Sequence, residues 1–348
     1  APVEPLNFLA AHLLAYVAQV AAWCGDPSWA EAHVHLGPGG LIASYLGLLG
    51  AFALMVAIRP KLRTHPRRRR QWTAAVGAGA AVALLYLFSD RGTAPPAPPS
   101  GLRVTVLDVG QGDAILLRPA RAPAILVDGG PPGDELVAKL EEAGVERLGA
   151  VVVSHDESDH AGGIEELLGQ VPVERLVYAR LGRQLRGEAA AVFAAAGSPR
   201  LVPFAAGGVL RSGRLRLEAL WPPRELLVAP LAGTDPNTQA LVLLARWGRF
   251  SMLLSADAEA EAVPLDPGPV DVLKVAHHGS DDAGLAGLLD RARPRLAVIS
   301  VGDGNPFGHP TPDTLATLAA HRVRTLRTDR DGTIAIEVSR GQVEVEGG

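Results

Sequence analysis

Apolar positions are laid out in two different ways along this chain. In the first hundred residues they come in long unbroken runs. Residues 41–58 and 72–89 each contain no charged side chain, and each is about 18 residues long, close to the ~20 that a helix needs to cross the hydrocarbon layer of a membrane. No Asp or Glu occurs from Ala32 to Ser89, and the stretch between the two runs is strongly basic, with Arg59, Lys61, Arg63 and the cluster Arg67-Arg68-Arg69-Arg70. Two charge-free runs flanking a basic loop predict a pair of transmembrane helices with the loop in the cytoplasm. The outer flanks then carry Asp26, Glu31 and Asp90, and everything after residue 100 is expected outside the inner membrane. Buried helices of a soluble protein would accommodate the four arginines less well. Residues 7–23 are also apolar but contain His12 and Gln19, which suits an interfacial or bundled helix as well as a third span. The basic loop has a second reading as a patch for DNA or anionic lipid, which weighs less than its role in topology.

Thr93-Ala-Pro-Pro-Ala-Pro-Pro-Ser100 is stiff, extended and unable to continue a helix. It divides the chain into membrane helices (1–92), a linker (93–100) and a second domain (101–348). In that domain the apolar runs are short. Strands are expected at 102–108, 114–118, 124–128, 148–154 and 176–178, then at 241–247 and 249–255 as a hairpin about Gly248, and at 270–276, 295–301, 323–327 and 333–338. Helices are expected at 134–143, 163–168, 285–292 and 312–320. Interleaved strands and helices imply a layered α/β domain.

Composition narrows this picture. With 48% hydrophobic and 20% charged residues, the chain is too apolar for disorder. A net charge of −4 argues against a global electrostatic attraction to nucleic acid, so any such contact must be local. The single cysteine, Cys24, excludes an intrachain disulfide and a cysteine-based zinc site. The first residues, Ala-Pro-Val-Glu, have no basic start typical of a signal peptide and read like the tail of a longer protein.

Polar chemistry collects where strands end. The run Val151-Val-Val-Ser-His155 feeds a loop bearing His155, Glu157, Asp159 and His160, followed by Gly162-Gly163 for a tight turn. A second run delivers Asp257, and a third delivers His277 and His278. Four of the six histidines after residue 100 fall in these segments. Taken alone, His155 or His160 would read as a turn or core residue. Together, imidazoles and carboxylates at strand ends point to a divalent zinc, manganese or iron site.

His155-x-Glu157-x-Asp159-His160 resembles the His-x-(His/Asp)-x-Asp-His signature of the metallo-β-lactamase superfamily. More narrowly, Leu107-Asp108-Val-Gly-Gln-Gly-Asp113, Asp128-Gly-Gly130, the His155 segment, Leu273-Lys-Val-Ala-His277-His278-Gly-Ser280 and Gly308-His309-Pro310 resemble, in order, the hydrolase domain of ComEC-type competence proteins. The resemblance covers residues 102 to about 340. It implies an αββα sandwich preceded by transmembrane helices, and a metal-dependent nuclease acting on single-stranded DNA during uptake, with the membrane and the uptake machinery as further partners.

Carried over residue by residue, the resemblance makes His155, Glu157, Asp159 and His160 the ligand loop. Asp257 becomes the metal-bridging carboxylate and His277 or His278 the last ligand. Asp128 becomes a support that orients a ligand, and Asp108 and Asp113 belong to the family's own turn. Two departures stand out. Glu157 occupies a position usually held by His or Asp. No histidine occurs from Ala161 to Ala276, so the middle ligand is missing, and Thr234-Asp235-Pro236-Asn237-Thr238 stands in its place. The expectation is one well-furnished metal position (Asp159, His160, Asp257 and a late histidine) and one weaker position. The ion would be manganese or zinc, with magnesium as a further option. Asp159 is expected to accept or orient the proton of an attacking water, with His309 near the substrate phosphate or leaving oxygen. Ser280 and Asn237 are expected as phosphate contacts. Arg180, Arg183 and Arg186 suit a solvated face better than a DNA track. The competing readings are a degenerate DNA-binding or gating module and a hydrolase of another phosphodiester.

Overall fold

The structure, a computed structural model, describes residues 97–179, 199–228 and 235–346. The chain divides between Arg91 and Gly92, and the described residues all belong to the second unit. The expected membrane spans at 41–58 and 72–89, the segment 7–23, the basic loop, Cys24, residues 93–96 of the linker, Arg180, Arg183, Arg186 and Thr234 lie outside the described residues. Among the described residues no helix is long and apolar enough to cross a membrane.

Two sheets carry the domain. The first runs β15-β14-β1-β2-β3-β4-β5-β6. It is built from β1 (Leu102–Val106), β2 (Ile115–Pro119), β3 (Ala124–Val127), β4 (Leu148–Val153), β5 (Arg175–Tyr178), β6 (Arg200–Pro203), β14 (Ile334–Ser339) and β15 (Gln342–Glu346). The second runs β13-β12-β11-β10-β9-β8-β7. Its strands are β7 (Val209–Ser212), β8 (Leu215–Trp221), β9 (Val242–Trp247), β10 (Phe250–Leu254), β11 (Val272–Lys274), β12 (Leu296–Ile299) and β13 (Arg324–Arg327). The helices are α1 (Leu136–Glu142), α2 (Ser158–Gln170), α3 (Arg224–Val228), α4 (Leu285–Ala292), α5 (Pro312–Ala320) and α6 (Thr328–Asp331).

Three apolar clusters define the layers. One joins the facing sides of the sheets, with Leu102, Val104, Ile115 and Val152 meeting Leu217, Leu243, Met252 and Val298. A second packs the outer side of the first sheet under α1 and α2 through Leu116, Leu126, Leu140, Ile164 and Leu167. A third packs the outer side of the second sheet under α4 and α5 through Leu253, Leu273, Leu288 and Leu318. The result is the αββα sandwich. It explains why β2, β4 and β10 are buried at every position: a strand covered on both faces reads as a continuous apolar run. In α4, Leu285, Leu288, Leu289 and Ala292 are buried, the spacing of a single helix face.

The expected strands and the helices at 285–292 and 312–320 are found within a few residues of their expected ends. The alternating stretch 215–221 forms β8, a strand absent from the expectation, as are β6, β7 and β15. The helix expected at 163–168 starts earlier, at Ser158, so Asp159 and His160 sit on its first turn. Gly162 and Gly163 are therefore helical and do not form a tight turn. Their smallness serves close approach: a Cβ on Gly163 would lie 2.3 Å from the Gly129 carbonyl oxygen. The Gly163 amide donates to the Gly130 oxygen at 3.0 Å, which locks α2 against the turn after β3. Gly163→Ala should lower stability by about 1–3 kcal/mol, the usual cost of overpacking, read as a drop in urea midpoint at unchanged m-value.

Candidate metal centre

The polar residues converge at one end of the sandwich, because neighbouring strands there run parallel. β3 and β4 pair in parallel, and so do β10 and β11. Their C-terminal ends therefore release Asp128, the His155 loop, Asp257 and the His277–His278 turn on one side.

Two groups of ligand-type atoms share Asp257. Asp159, His160, Asp257 and His278 each offer an atom within 4.8 Å of the others, and so do His155, Glu157 and Asp257. In the first group, His160 Nε2 lies 3.1 Å from Asp257 Oδ1 and His278 Nε2 lies 3.2 Å from Asp159 Oδ2. In the second, His155 Nε2 lies 3.7 Å from Glu157 Oε2 and 4.0 Å from Asp257 Oδ2. The structure thus gathers His155, Glu157, Asp159, His160, Asp257 and His278 into two adjoining positions.

Each imidazole is held through its other nitrogen. Asp128 accepts from the Ser154 amide and the Ser154 hydroxyl, both at 2.7 Å, and from His160 Nδ1 at 3.0 Å. Having donated its proton to Asp128, Ser154 Oγ accepts from His155 Nδ1 at 2.9 Å. His278 Nδ1 donates to the Ser300 carbonyl at 2.9 Å. All three rings therefore turn Nε2 inward, the arrangement in which an outer partner orients a metal-binding histidine. Both His277 and His278 have positive φ, 48° and 53°, a left-handed backbone that costs free energy for residues with a side chain.

The arrangement fits a divalent cation on two observations. His155 Nε2, His160 Nε2 and both Asp257 carboxylate oxygens are buried without a hydrogen-bond partner, although such atoms are costly to bury unsatisfied. The donor set, two imidazoles with two carboxylates in one group and one with two in the other, suits zinc, manganese or iron. Charge follows the same logic. Burial opposes a charge on His160, but Asp257 and Asp128 hold its imidazole well above the ordinary range. Burial also opposes a charge on Asp257, and His160, His278 and Lys274 hold its carboxyl well below the ordinary range. For Asp159, burial is outweighed by the His278 hydrogen bond and the His160 charge, which lower its carboxyl.

A third group, Asp113, Asp128 and His160, already has its cation. Lys274 is 0% exposed. Its ammonium pairs with Asp113 Oδ2, donates to the Ala256 carbonyl at 3.1 Å and lies 3.9 Å from Asp257 Oδ1. The sequence reading gave Lys274 no role. The signal was present, since a lysine inside the apolar run expected as the strand 270–276 must be paired where it is buried.

Other expected residues take different places. His277 lies outside all three groups. Its Nδ1 pairs with Glu259 at 2.8 Å and its Nε2 lies 3.9 Å from Asp257. That Glu259 bond raises its imidazole against the effect of burial. Ser280, expected as a phosphate contact, donates its hydroxyl to the same Glu259. Burial and the two hydrogen bonds act oppositely on Glu259, and its carboxyl is lowered. Asp108 accepts from the Gly110 amide at 3.3 Å and shapes its turn. Asn237 lies on a short 3-10 turn, Pro236–Gln239, and its Oδ1 is buried without a hydrogen-bond partner. The His309 ring lies 5.7 Å from that of His277. Burial and the charges of His277 and His278 lower its imidazole.

The model of the metallo-beta-lactamase superfamily matches residues 107–303, more than half of the chain, and it encloses every residue of the two ligand groups. The chain belongs to the metallo-beta-lactamase superfamily. Its relatives are competence proteins of the ComEC type. It is 30% identical to ComE operon protein 3 of Bacillus subtilis over 66% of this chain and 32% of that protein. It is 26% identical to competence protein ComA of Neisseria gonorrhoeae over 99% of this chain and 45% of that protein. Recombination protein 2 of Haemophilus influenzae is 29% identical over 70% of this chain and 30% of its own length. The chain thus spans less than half the length of these relatives.

Asp257→Ala should abolish tight binding of manganese or zinc at both positions, whereas Glu157→Ala should remove only the more weakly held ion. Metal content after dialysis, measured by plasma mass spectrometry, checks both. Lys274→Met should cost about 3–5 kcal/mol by leaving Asp113 buried without its ammonium partner, and Lys274→Met with Asp113→Leu should recover part of that loss in a denaturation cycle.

Proposed function

We propose that this chain belongs to a multi-pass inner-membrane protein of DNA uptake, and that residues 101–348 are its metal-dependent phosphodiesterase, cutting incoming single-stranded DNA outside the membrane. The observation that carries the reading is Asp257, a buried carboxylate with neither oxygen hydrogen-bonded, shared by two adjoining ligand groups. Paired positions of this kind suit phosphoryl transfer, in which the attacking and leaving oxygens both need stabilising. Kinship to competence proteins supplies DNA as the phosphodiester. The apolar runs at 41–58 and 72–89 and the basic loop between them supply the membrane, and the other components of uptake are the expected partners.

His160, His278, Asp159 and Asp257 would hold the better-furnished ion, with His155, Glu157 and Asp257 holding the second. A divalent ion there supplies a Lewis acid for a phosphoryl oxygen and acidifies a water. Asp159 is the most open carboxylate of its group, with a side chain 30% exposed. Its lowered carboxyl is ionised at neutral pH, as required of a group that accepts or orients the proton of an attacking water. His309 is neutral at the same pH and partly exposed, as a group that meets the substrate phosphate or the leaving oxygen has to be.

A second reading, a DNA-binding or gating module that does not cut, draws on one observation. Apart from the shared Asp257, the His155 group contains only His155 and Glu157. An assay of the purified chain with manganese separates the readings. Labelled single-stranded DNA should be cleaved in preference to bis(p-nitrophenyl) phosphate, and His160→Ala with Asp257→Ala should fall to the metal-free background. Metal bound at full occupancy without cleavage would favour the gating module. Faster turnover of the small diester would favour a hydrolase of another phosphodiester.

A further inference from the structure

We propose that Phe307 is a stacking platform for a nucleobase of the substrate strand, presented at the mouth of the metal centre by a pinned loop. The proposal rests on the single-stranded DNA reading above and adds the side chain that grips the strand.

A row of aromatic rings leads outward from Asp257. The His278 ring is followed by that of His277 at 6.2 Å, that of His309 at 5.7 Å from His277, and that of Phe307 at 6.0 Å from His309. The last two planes are within 11° of parallel. Burial falls along the row. His278 is 1% exposed, His277 and His309 are partly exposed, and Phe307 is 65% exposed, the most open large hydrophobic side chain among the described residues.

The loop that carries Phe307 is held from within. Asn305 Nδ2 donates to the Gly302 carbonyl at 3.0 Å and to the His309 carbonyl at 2.7 Å, and Asn305 Oδ1 accepts from the His309 amide at 3.1 Å. Gly308, at φ 76°, makes the turn between the two stacked rings. Just beyond the loop, the Thr311 amide donates to the Gly279 carbonyl at 2.8 Å, tying it to the turn that carries His277 and His278. Phe307 is thus a largely exposed apolar ring offered on a loop held from within and backed by His309. Presenting a ring in a fixed place removes the ordering cost of binding.

A nucleobase matches this surface. Its flat π-face stacks on an exposed aromatic ring whatever the base, so the contact grips a strand without reading its sequence. The same geometry discriminates against a duplex, whose bases are already stacked and must be extruded before they can reach a side chain. The position of Phe307, at the outer end of a ring row that begins at the metal ligands, places the stacked base near the phosphate to be cut.

The test compares wild type, Phe307→Ala and Phe307→Trp as the full 348-residue chain with manganese. Labelled single-stranded oligonucleotides carry either normal bases throughout or one abasic residue walked along the strand. Binding is read by fluorescence anisotropy and cleavage on gels. Wild type should lose about tenfold or more in affinity when the abasic residue occupies one position near the cut. Phe307→Ala should bind the intact strand that much more weakly and be indifferent to the abasic residue. Phe307→Trp should behave as wild type. Phe307→Ala should keep the metal content of wild type, which separates a lost contact from a damaged centre. An abasic penalty that persists unchanged in Phe307→Ala overturns the proposal, and so does a loss of self-association or vesicle binding in that variant with DNA binding intact. Base-dependent binding through Phe307 without cleavage keeps the platform and overturns only the nuclease. No binding of single-stranded DNA by wild type overturns both.

Discussion

The metal centre depends on where three protons are held, and Asp128 holds two of them. It sits immediately after β3 with φ 58°, a left-handed backbone that costs free energy for a residue with a side chain. There its carboxylate takes the Ser154 amide, the Ser154 hydroxyl and His160 Nδ1. Because the hydroxyl has one proton, donating it to Asp128 leaves Ser154 Oγ as acceptor for His155 Nδ1. One carboxylate therefore sets the tautomer of both histidines and turns both Nε2 atoms toward Asp257. The β3–β4 parallel pairing makes this reach possible, since it places the end of one strand beside the His155 segment leaving the other. The facing sheet repeats the device with a backbone group, the Ser300 carbonyl holding His278 Nδ1.

Electrostatics then separates a permanent cation from an exchangeable one. Asp113 and Asp257 are both 1% exposed, and two carboxylates in such surroundings would repel each other and resist ionisation. Lys274 ion-pairs with the first and stands 3.9 Å from the second. Asp113 is thereby neutralised within the fold, whereas neither oxygen of Asp257 is hydrogen-bonded, which leaves both for a ligand that arrives later. This division explains why the Asp113, Asp128 and His160 group, though spaced like a metal site, is a structural ion-pair network. It also explains why a lysine occupies the last residue of β11, where aliphatic side chains otherwise prevail.

The ligand groups were legible in the sequence because each chemical residue lies just past a short buried strand, and such strands are easily recognised as apolar runs. Covalent neighbours alone did not separate His277 from His278. The two adjacent residues were split by the 3-10 turn, which sends one ring to Glu259 and the other to Asp159. The start of α2 was misjudged because Gly162 and Gly163 read as a tight turn leading into the helix. Their helix is maintained by tertiary contact with the turn after β3, which leaves no room for a Cβ. Lys274 and Glu259 were overlooked for another reason. Neither is a ligand, and their importance comes from neighbours distant in the chain, Asp113 and His277. β7 and β8 lie between the recognised motifs and were passed over even though 215–221 alternates as a half-buried strand should.

The missing middle histidine changes the balance between the two metal positions in a way that the fold makes specific. The segment that replaces it is anchored at its C-terminal end by two hydrogen bonds. The Leu241 amide donates to the Ser154 carbonyl at 2.9 Å, and Trp221 Nε1 donates to the Thr238 carbonyl at 2.7 Å. The 3-10 turn carrying Asn237 is thus fastened beside the residue that precedes His155. Asn237 Oδ1 is a neutral oxygen, buried and without a hydrogen-bond partner among the described residues. An amide oxygen is a harder and weaker donor than imidazole, and oxygen-rich sets favour manganese or magnesium over zinc. An ion beside His155 and Glu157, whose group offers one imidazole against two in the other, would be held less tightly than one between His160 and His278, and would depend more on an oxygen brought by the substrate. The phosphodiester proposed as substrate would supply that oxygen, so loss of the histidine is compatible with a second ion that binds together with it.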